Sequence, residues 1–166
     1  MQILPLKQRP NLATQLAGLH AAEWGHLYTD WTEDAALQEF LHEPPFNRLP
    51  ATLVAVEGRV LLGSVSVIYD DLPGWPHLNP WLASLYVVEP ERGKGIGSVL
   101  LSAAEALLRS HKVPRAYVFT EQQAAYFQRF GWVKYADSKA NGHDVVILIK
   151  ELNLVSGCRK PGKKEA

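Results

Sequence analysis

The residues best placed to do chemistry lie in one short stretch, ERGKGIGS at positions 91–98. Gly93, Gly95 and Gly97 allow positive φ and let a ligand approach the main chain closely. The amphipathic segment that follows presents the unpaired N–H groups of a first helical turn. With the helix dipole, those donors make an anion site. Arg92 and Lys94 add positive charge beside it. A phosphate-bearing ligand is the simplest occupant.

Three glycine-rich phosphate motifs compete for this stretch. A P-loop needs G-x-x-x-x-G-K-[ST], which the chain lacks. A dinucleotide fingerprint needs G-x-G-x-x-G, but Ser98 stands where the third glycine belongs. That motif also opens a βαβ unit, with an acidic residue about 20 residues on. The third string, R/Q-x-x-G-x-G/A, is met in full by Arg92, Gly95 and Gly97. With an apolar strand before it and a helix after it, the segment Leu85 to Leu108 resembles the pyrophosphate loop of the GNAT superfamily of acyl-CoA-dependent N-acyltransferases.

The elements that must position this loop follow from pattern. Met1 to Leu6 reads as a strand. Asn11 to Tyr28 reads as a helix with Asn11 as N-cap. Thr32 caps a second helix that stops before Pro44 and Pro45. Leu53–Val56 and Val60–Tyr69 read as a hairpin across Glu57-Gly58-Arg59. A proline-rich loop, Asp70 to Pro80, leads to the apolar strand Trp81 to Val88. From Gly95 to His111, the positions Ile96, Val99, Leu100, Ala103, Ala104, Leu107 and Leu108 form one helical stripe. A strand at Ala116–Thr120, a short helix at Glu121–Phe130 closed by Gly131, and a hairpin of Trp132–Tyr135 with Asp144–Ile149 complete the order. That order matches the GNAT one, and Ala124 to Trp132 (A-x-Y-F-x-x-x-G-W) supports it. The resemblance implies a mixed α/β fold with a mostly antiparallel, splayed central sheet flanked by helices. The domain is expected over residues 1–152, with a polar, flexible tail over 153–166.

Composition fits a single soluble globular domain: 47% of the 166 residues are hydrophobic and 20% charged. Seventeen basic and seventeen acidic residues cancel, which argues against nucleic acid or anionic membrane as a partner. No run is long enough for a membrane span, and the N-terminus lacks a signal layout. A single cysteine, Cys158, excludes an internal disulfide framework. A cytoplasmic protein is expected, and a homodimer is compatible with these features.

The resemblance then assigns roles. The main chain of Leu85, Tyr86 and Val87 pairs with the pantetheine arm as another strand would. Arg92, Gly93, Lys94, Gly95, Ile96 and Gly97 wrap the pyrophosphate, and Ser98 adds its hydroxyl. Acetyl-CoA is the implied co-substrate and a primary amine, of a small molecule or a peptide, the acceptor. The amine attacks the thioester directly. That step needs a base, donors for the developing oxyanion (the Val87 N–H being one), and a proton for the thiolate.

The chain departs from the family at the proton donor. Phe127 stands where many members carry tyrosine, four residues before the helix-closing glycine. Tyr126, adjacent but rotated by about 100° around the helix, is one candidate donor; Tyr86 or an ordered water is another. Asp70 and Asp71 are the candidate base pair, although aspartate also favours turns at such positions. His77, Glu23 and Glu89 are weaker candidates. Trp24, Tyr28, Trp31, Trp75 and Trp81 suggest an aromatic pocket for an organic cation, or ordinary core. The six histidines show no metal-ligand spacing, so no metal is expected. The Phe127 departure leaves a second reading open: a non-catalytic CoA-binding module with the same fold.

Overall fold

The computed structural model describes residues 1–45 and 48–153. The expected tail beyond residue 153, with Cys158, lies outside the described residues. The elements are β1 (Gln2–Pro5), α1 (Ala13–Trp24), α2 (Glu33–Leu41), β2 (Ala51–Glu57), β3 (Val60–Ile68), β4 (Trp81–Val87), α3 (Ile96–Ser110), β5 (Arg115–Thr120), α4 (Ala124–Gln128), β6 (Val133–Ala140) and β7 (His143–Glu151). Their order is the expected one. They form one seven-stranded sheet, β1-β2-β3-β4-β5-β7-β6. Every neighbouring pair is antiparallel except β4 and β5.

That parallel pair is the feature that makes a site. It holds for a single rung, Trp81 opposite Tyr117, and then the strands part. On its other side β4 stays paired with β3, but through a bulge. Ser64 and Ser66 of β3 face Tyr86 and Ala83 of β4, so β4 carries one extra residue in that interval. Ser84, at φ 52°, absorbs it.

Helices cover both faces. The apolar side of α3, through Leu100, Ala104 and Leu108, packs on Val65, Val67, Leu82 and Val118 of the sheet. The α1–α2 pair covers Val54, Val56 and Leu61 on the opposite face. The loop between β3 and β4 covers Trp81, Tyr117 and Ile147 beside it. Thr32 caps α2 as expected, accepting from the Ala35 amide at 3.2 Å.

Four expectations need correction. Asn11 does not cap α1; Pro10 starts a 3-10 turn that runs into the helix with no side-chain cap. The helix at 121–130 is shorter, Ala124–Gln128. The last hairpin is longer, because Asn141 and Gly142, at φ 47° and 82°, make a two-residue turn between Ala140 and His143. In α3, Val99 is exposed while Glu105 is buried.

Glu105 tolerates burial because it is fully paired. It accepts from Lys150 Nζ at 2.8 and 2.9 Å, from Trp132 Nε1 at 3.1 Å and from Arg109 at 3.3 Å. Lys150 also donates to the Phe130 carbonyl at 2.6 Å. The cluster ties α3 to β7 and to the end of α4. Removing one partner strands the other charge, at a cost of about 3–5 kcal/mol. Glu105→Ala is therefore expected to lower unfolding free energy by about that amount in urea titration, and Glu105→Leu with Lys150→Met to recover most of it. Equal losses in the single and double variants would contradict this role.

Candidate active site

Three cavities adjoin one another around the opening between β4 and β5. The first, about 640 Å³, lies at the glycine loop and is lined by Arg92, Gly93, Gly95, Gly97, Ser98 and Tyr126 among others. The second, about 220 Å³, fills the gap between the strands and shares Leu85, Gln123 and Phe127 with the first. The third, about 480 Å³, lies beyond, and Tyr28, Asp71 and Ser84 border both it and the second. The shared walls set the three cavities side by side.

At the loop end, Gly93 and Gly95 take φ of 77° and 84°, a conformation that L side chains rarely adopt. Gly93, Gly95, Ile96, Gly97 and Ser98 of the turn line the cavity. Arg92 N donates to Glu89 O at 3.2 Å and Val99 N to Gly95 O at 3.3 Å, but among the described residues the amides of 93–98 make no backbone bond. Six donors without a backbone partner thus stand at the start of a 15-residue helix, at the positive end of its dipole. Ile96 anchors the turn in the core at 7% exposure.

The charged side chains there are partly committed. Arg92 Nε donates to the Val87 carbonyl at 2.9 Å, and its guanidinium lies 5.5 Å above the Tyr86 ring. Lys94 pairs with Glu91 at 3.0 Å on the surface. The Ser98 hydroxyl donates to the Gly95 carbonyl at 2.8 Å, closing the turn. Arg129, which sequence reading missed, stacks 5.6 Å from both Tyr126 and Phe130 and lines the same cavity.

The strand backbone has a free side. Val88 N donates to Leu62 O of β3 at 2.9 Å. Alternate residues of an antiparallel strand direct their N–H groups to opposite sides. The Val87 and Leu85 amides therefore face the gap, where β5 has withdrawn. The side chains of Leu85 and Val87 pack against the α3 core.

The candidate acids and bases separate clearly. Tyr126 turns its hydroxyl over Gly97, where a Cβ would meet it at 2.7 Å, so it sits at the loop rather than deep in the gap. Partial burial pushes its pKa up, offset by Arg129. Phe127 is buried and lines both the gap and the loop cavity. The Tyr86 ring lies on the α1 face, edge-on to His20 and Trp24, and lines none of the three cavities.

Asp70 and Asp71 part company too. Asp70 is exposed and builds the loop: its N–H donates to Asn79 Oδ1 at 2.8 Å and its Oδ1 accepts from Asn79 Nδ2 at 3.0 Å. Asp71 is 9% exposed, accepts from the Tyr28 hydroxyl at 2.8 Å and stands where the second and third cavities meet. Burial pushes its carboxyl up to about 7, against the stabilising Tyr28 bond. Tyr28 is pushed far up by its own burial and by the Asp71 charge.

The third cavity is acidic and aromatic. Sequence reading missed Glu39 and Glu43, which line it with Asp70 and Asp71. Burial raises both glutamates. Trp31 Nε1 donates to Glu39 at 2.9 Å, and Thr52 bonds Glu43. His20, also missed, is buried, bonded to Ser64 at 2.8 Å and held neutral by burial, its pKa lowered to about 3. Of the five aromatics singled out, Trp24, Tyr28 and Trp31 line cavities. Trp81 is core, and Trp75 is bonded to Ser138 at 2.9 Å. Glu23 borders the gap, whereas His77 packs on Trp75 and Glu89 starts a 3-10 turn. His26, Glu121 and His143 converge at the outer rim of the gap. Positions 26, 121 and 143 are too scattered for a spacing motif to reveal them.

The raised Asp71 carboxyl has a stability signature. Unfolded, the group titrates near 3.8; folded, near 7. Between those values the folded chain holds the proton more tightly, so this group's contribution is full below about 4 and is lost as pH rises through 7. Asp71→Asn has no such loss. It is expected to match the parent in stability near pH 4 and to exceed it by about 1–3 kcal/mol at pH 8, from urea titrations at both pH values. A variant less stable than the parent at pH 8 would remove the basis for an elevated carboxyl.

A family model described as Acetyltransferase (GNAT) family matches residues 14–132. No curated protein matches significantly. Among solved structures, an aminoglycoside 6'-N-acetyltransferase complexed with coenzyme A is 17% identical, covers 98% of this chain and 100% of its own, and has a TM-score of 0.70. The aminoglycoside 6'-N-acetyltransferase from Enterococcus faecium is 16% identical over 98% of this chain and 100% of its own, with a TM-score of 0.68. A GNAT-family acetyltransferase from Streptococcus pneumoniae is 18% identical over 92% of this chain and 100% of its own, with a TM-score of 0.64. Likeness at these identities is one of fold. The sequence match spans most of the chain and agrees with that fold, so this chain belongs to the GNAT acetyltransferase family.

Proposed function

We propose that the protein transfers an acetyl group from acetyl-CoA to a primary amine of a small molecule carrying two or more ammonium groups. One observation carries this reading: adjoining cavities lead from a donor-rich glycine loop to a carboxylate-lined pocket, with Asp71 bordering both the gap and that pocket. The free amides of 93–98 suit the diphosphate, and the unpaired side of β4 suits the pantetheine amides. Glu39, Glu43, Asp70 and Asp71 suit a polycation. Trp31 and Tyr28 offer ring faces to its charged groups.

In the reaction, Asp71 takes the proton from the acceptor ammonium, directly or through one water. The neutral nitrogen attacks the acetyl carbon, and the Val87 N–H stabilises the carbonyl oxygen as charge builds. The C–N bond forms, the C–S bond breaks and the sulfur leaves as thiolate. Phe127 offers that thiolate no proton. A thiol near pKa 8.5 leaves tolerably as its anion. Tyr126, over Gly97, contacts the phosphate end of the co-substrate instead. Tyr86 contributes its main chain and anchors Arg92.

Phe127 also supports the alternative of a CoA-binding module without turnover. Release of free thiol from acetyl-CoA with a panel of amines separates the two. The expected result is turnover with linear di- and polyamines or aminosugars, and KM at least tenfold higher for matched monoamines. Log kcat/KM should rise with pH and level off near 7. Asp71→Asn is expected to lower kcat about 10²–10⁴-fold and to flatten that profile. Tight acetyl-CoA binding with no thiol release from any amine would favour the module.

A further inference from the structure

We propose that His26, Glu121 and His143 form a three-ligand site for a zinc-class divalent cation at the outer rim of the gap. His26 Nε2 lies 2.8 Å from Glu121 Oε2, and His143 Nδ1 lies 3.4 Å from Glu121 Oε1. One ligand atom from each residue lies within 4.8 Å of the others. Two imidazoles and a carboxylate are an established donor set for zinc, with metal–ligand distances near 2.0–2.2 Å. Tetrahedral geometry at that radius separates donors by about 3.3 Å, so the widest pair has at most about 1.5 Å to close. The side chains are 43%, 27% and 46% exposed, free to adjust and open to entry from solvent.

The three ligands come from separate parts of the fold. His26 lies in the 3-10 turn after α1, Glu121 follows β5 and His143 begins β7. A further contact fixes two of these segments together. Asn141, in the β6–β7 turn, donates from Nδ2 to the His26 carbonyl at 3.0 Å and lies within 3.5 Å of the Tyr28 carbonyl and of Thr29 Oγ1. The hairpin tip is thus clamped onto the backbone that carries His26, and His143 follows the clamp by two residues. The two rings meet edge-to-face at 5.0 Å. As a plain ion pair, so exposed a cluster contributes little to stability; as a ligand set it closes three segments on one point.

Its position gives the site a consequence. His26 and Glu121 also line the gap that holds Asp71. A cation there leaves its fourth coordination position to water and bridges the outer mouth of the gap. It would therefore narrow that mouth without touching the glycine loop.

The test uses the tag-free full chain in a Cys158→Ser background, so that the thiol cannot contribute a ligand. Titration with Co²⁺ is expected to give one-to-one saturation with the intense visible bands of a four-coordinate ion, displaced by one equivalent of Zn²⁺. At zinc a hundredfold above Kd, Tm should rise by about 5–10 °C. His143→Ala and Glu121→Gln should each abolish both signals, with His143→Ala retaining acetyl-CoA binding. Absence of saturable binding, weak six-coordinate bands only, or a His143→Ala protein that binds as the parent does would each overturn the site.

Discussion

The structure depends on a pair of parallel strands that pair once and then part. Beyond the rung at Trp81 and Tyr117, one side of β4 presents main-chain groups that no strand among the described residues satisfies. Such an edge is ordinarily a liability, because unpaired backbone groups away from water are costly. Here the sheet is held open by its surroundings. The extra residue at Ser84 bends β4, while β3 and β7 hold the two strands from outside. The loop at 92–98, the α3 N-terminus and the Tyr28–Asp71 pair are all placed by this opening.

Its two ends have opposite electrical character. At the loop, free amides, the α3 dipole, Arg92 and Arg129 attract negative charge. At the far end, four carboxylates line one cavity and burial holds three of them above their usual range. Between them lie Leu85 and Phe127, apolar and without a proton to give. A neutral whole-chain charge conceals this separation. On the proposed reading, an anionic and a cationic substrate approach from these opposite ends and meet in the gap between the strands, beside Asp71.

Much of the fold was legible in the sequence because its signals are local. The Arg92–Gly97 string, the helical stripe after it and the Thr32 cap each depend on neighbours within a few residues. The Asn11 cap failed because Pro10 begins a tighter turn that needs no side-chain acceptor. The Asn141-Gly142 pair is a local hairpin signal, and the turn it makes extends the last two strands beyond their apolar stretches. Glu105 broke the helical pattern for a non-local reason: Lys150 and Trp132 arrive from elsewhere in the chain.

The far end of the site was the least legible. Asp70 and Asp71 look alike in sequence, yet one holds Asn79 in a loop and the other is buried beneath Tyr28. Glu39 and Glu43 sit in and after an ordinary amphipathic helix, and only tertiary packing brings them to Asp71. The account's central claim is that the parted strand and the glycine turn bind one ligand with their main chains. Amide hydrogen exchange with and without acetyl-CoA tests it most directly. The account predicts slowed exchange at 85–87 and 93–98 together; unchanged exchange in both stretches, with protection confined to another face, would contradict it.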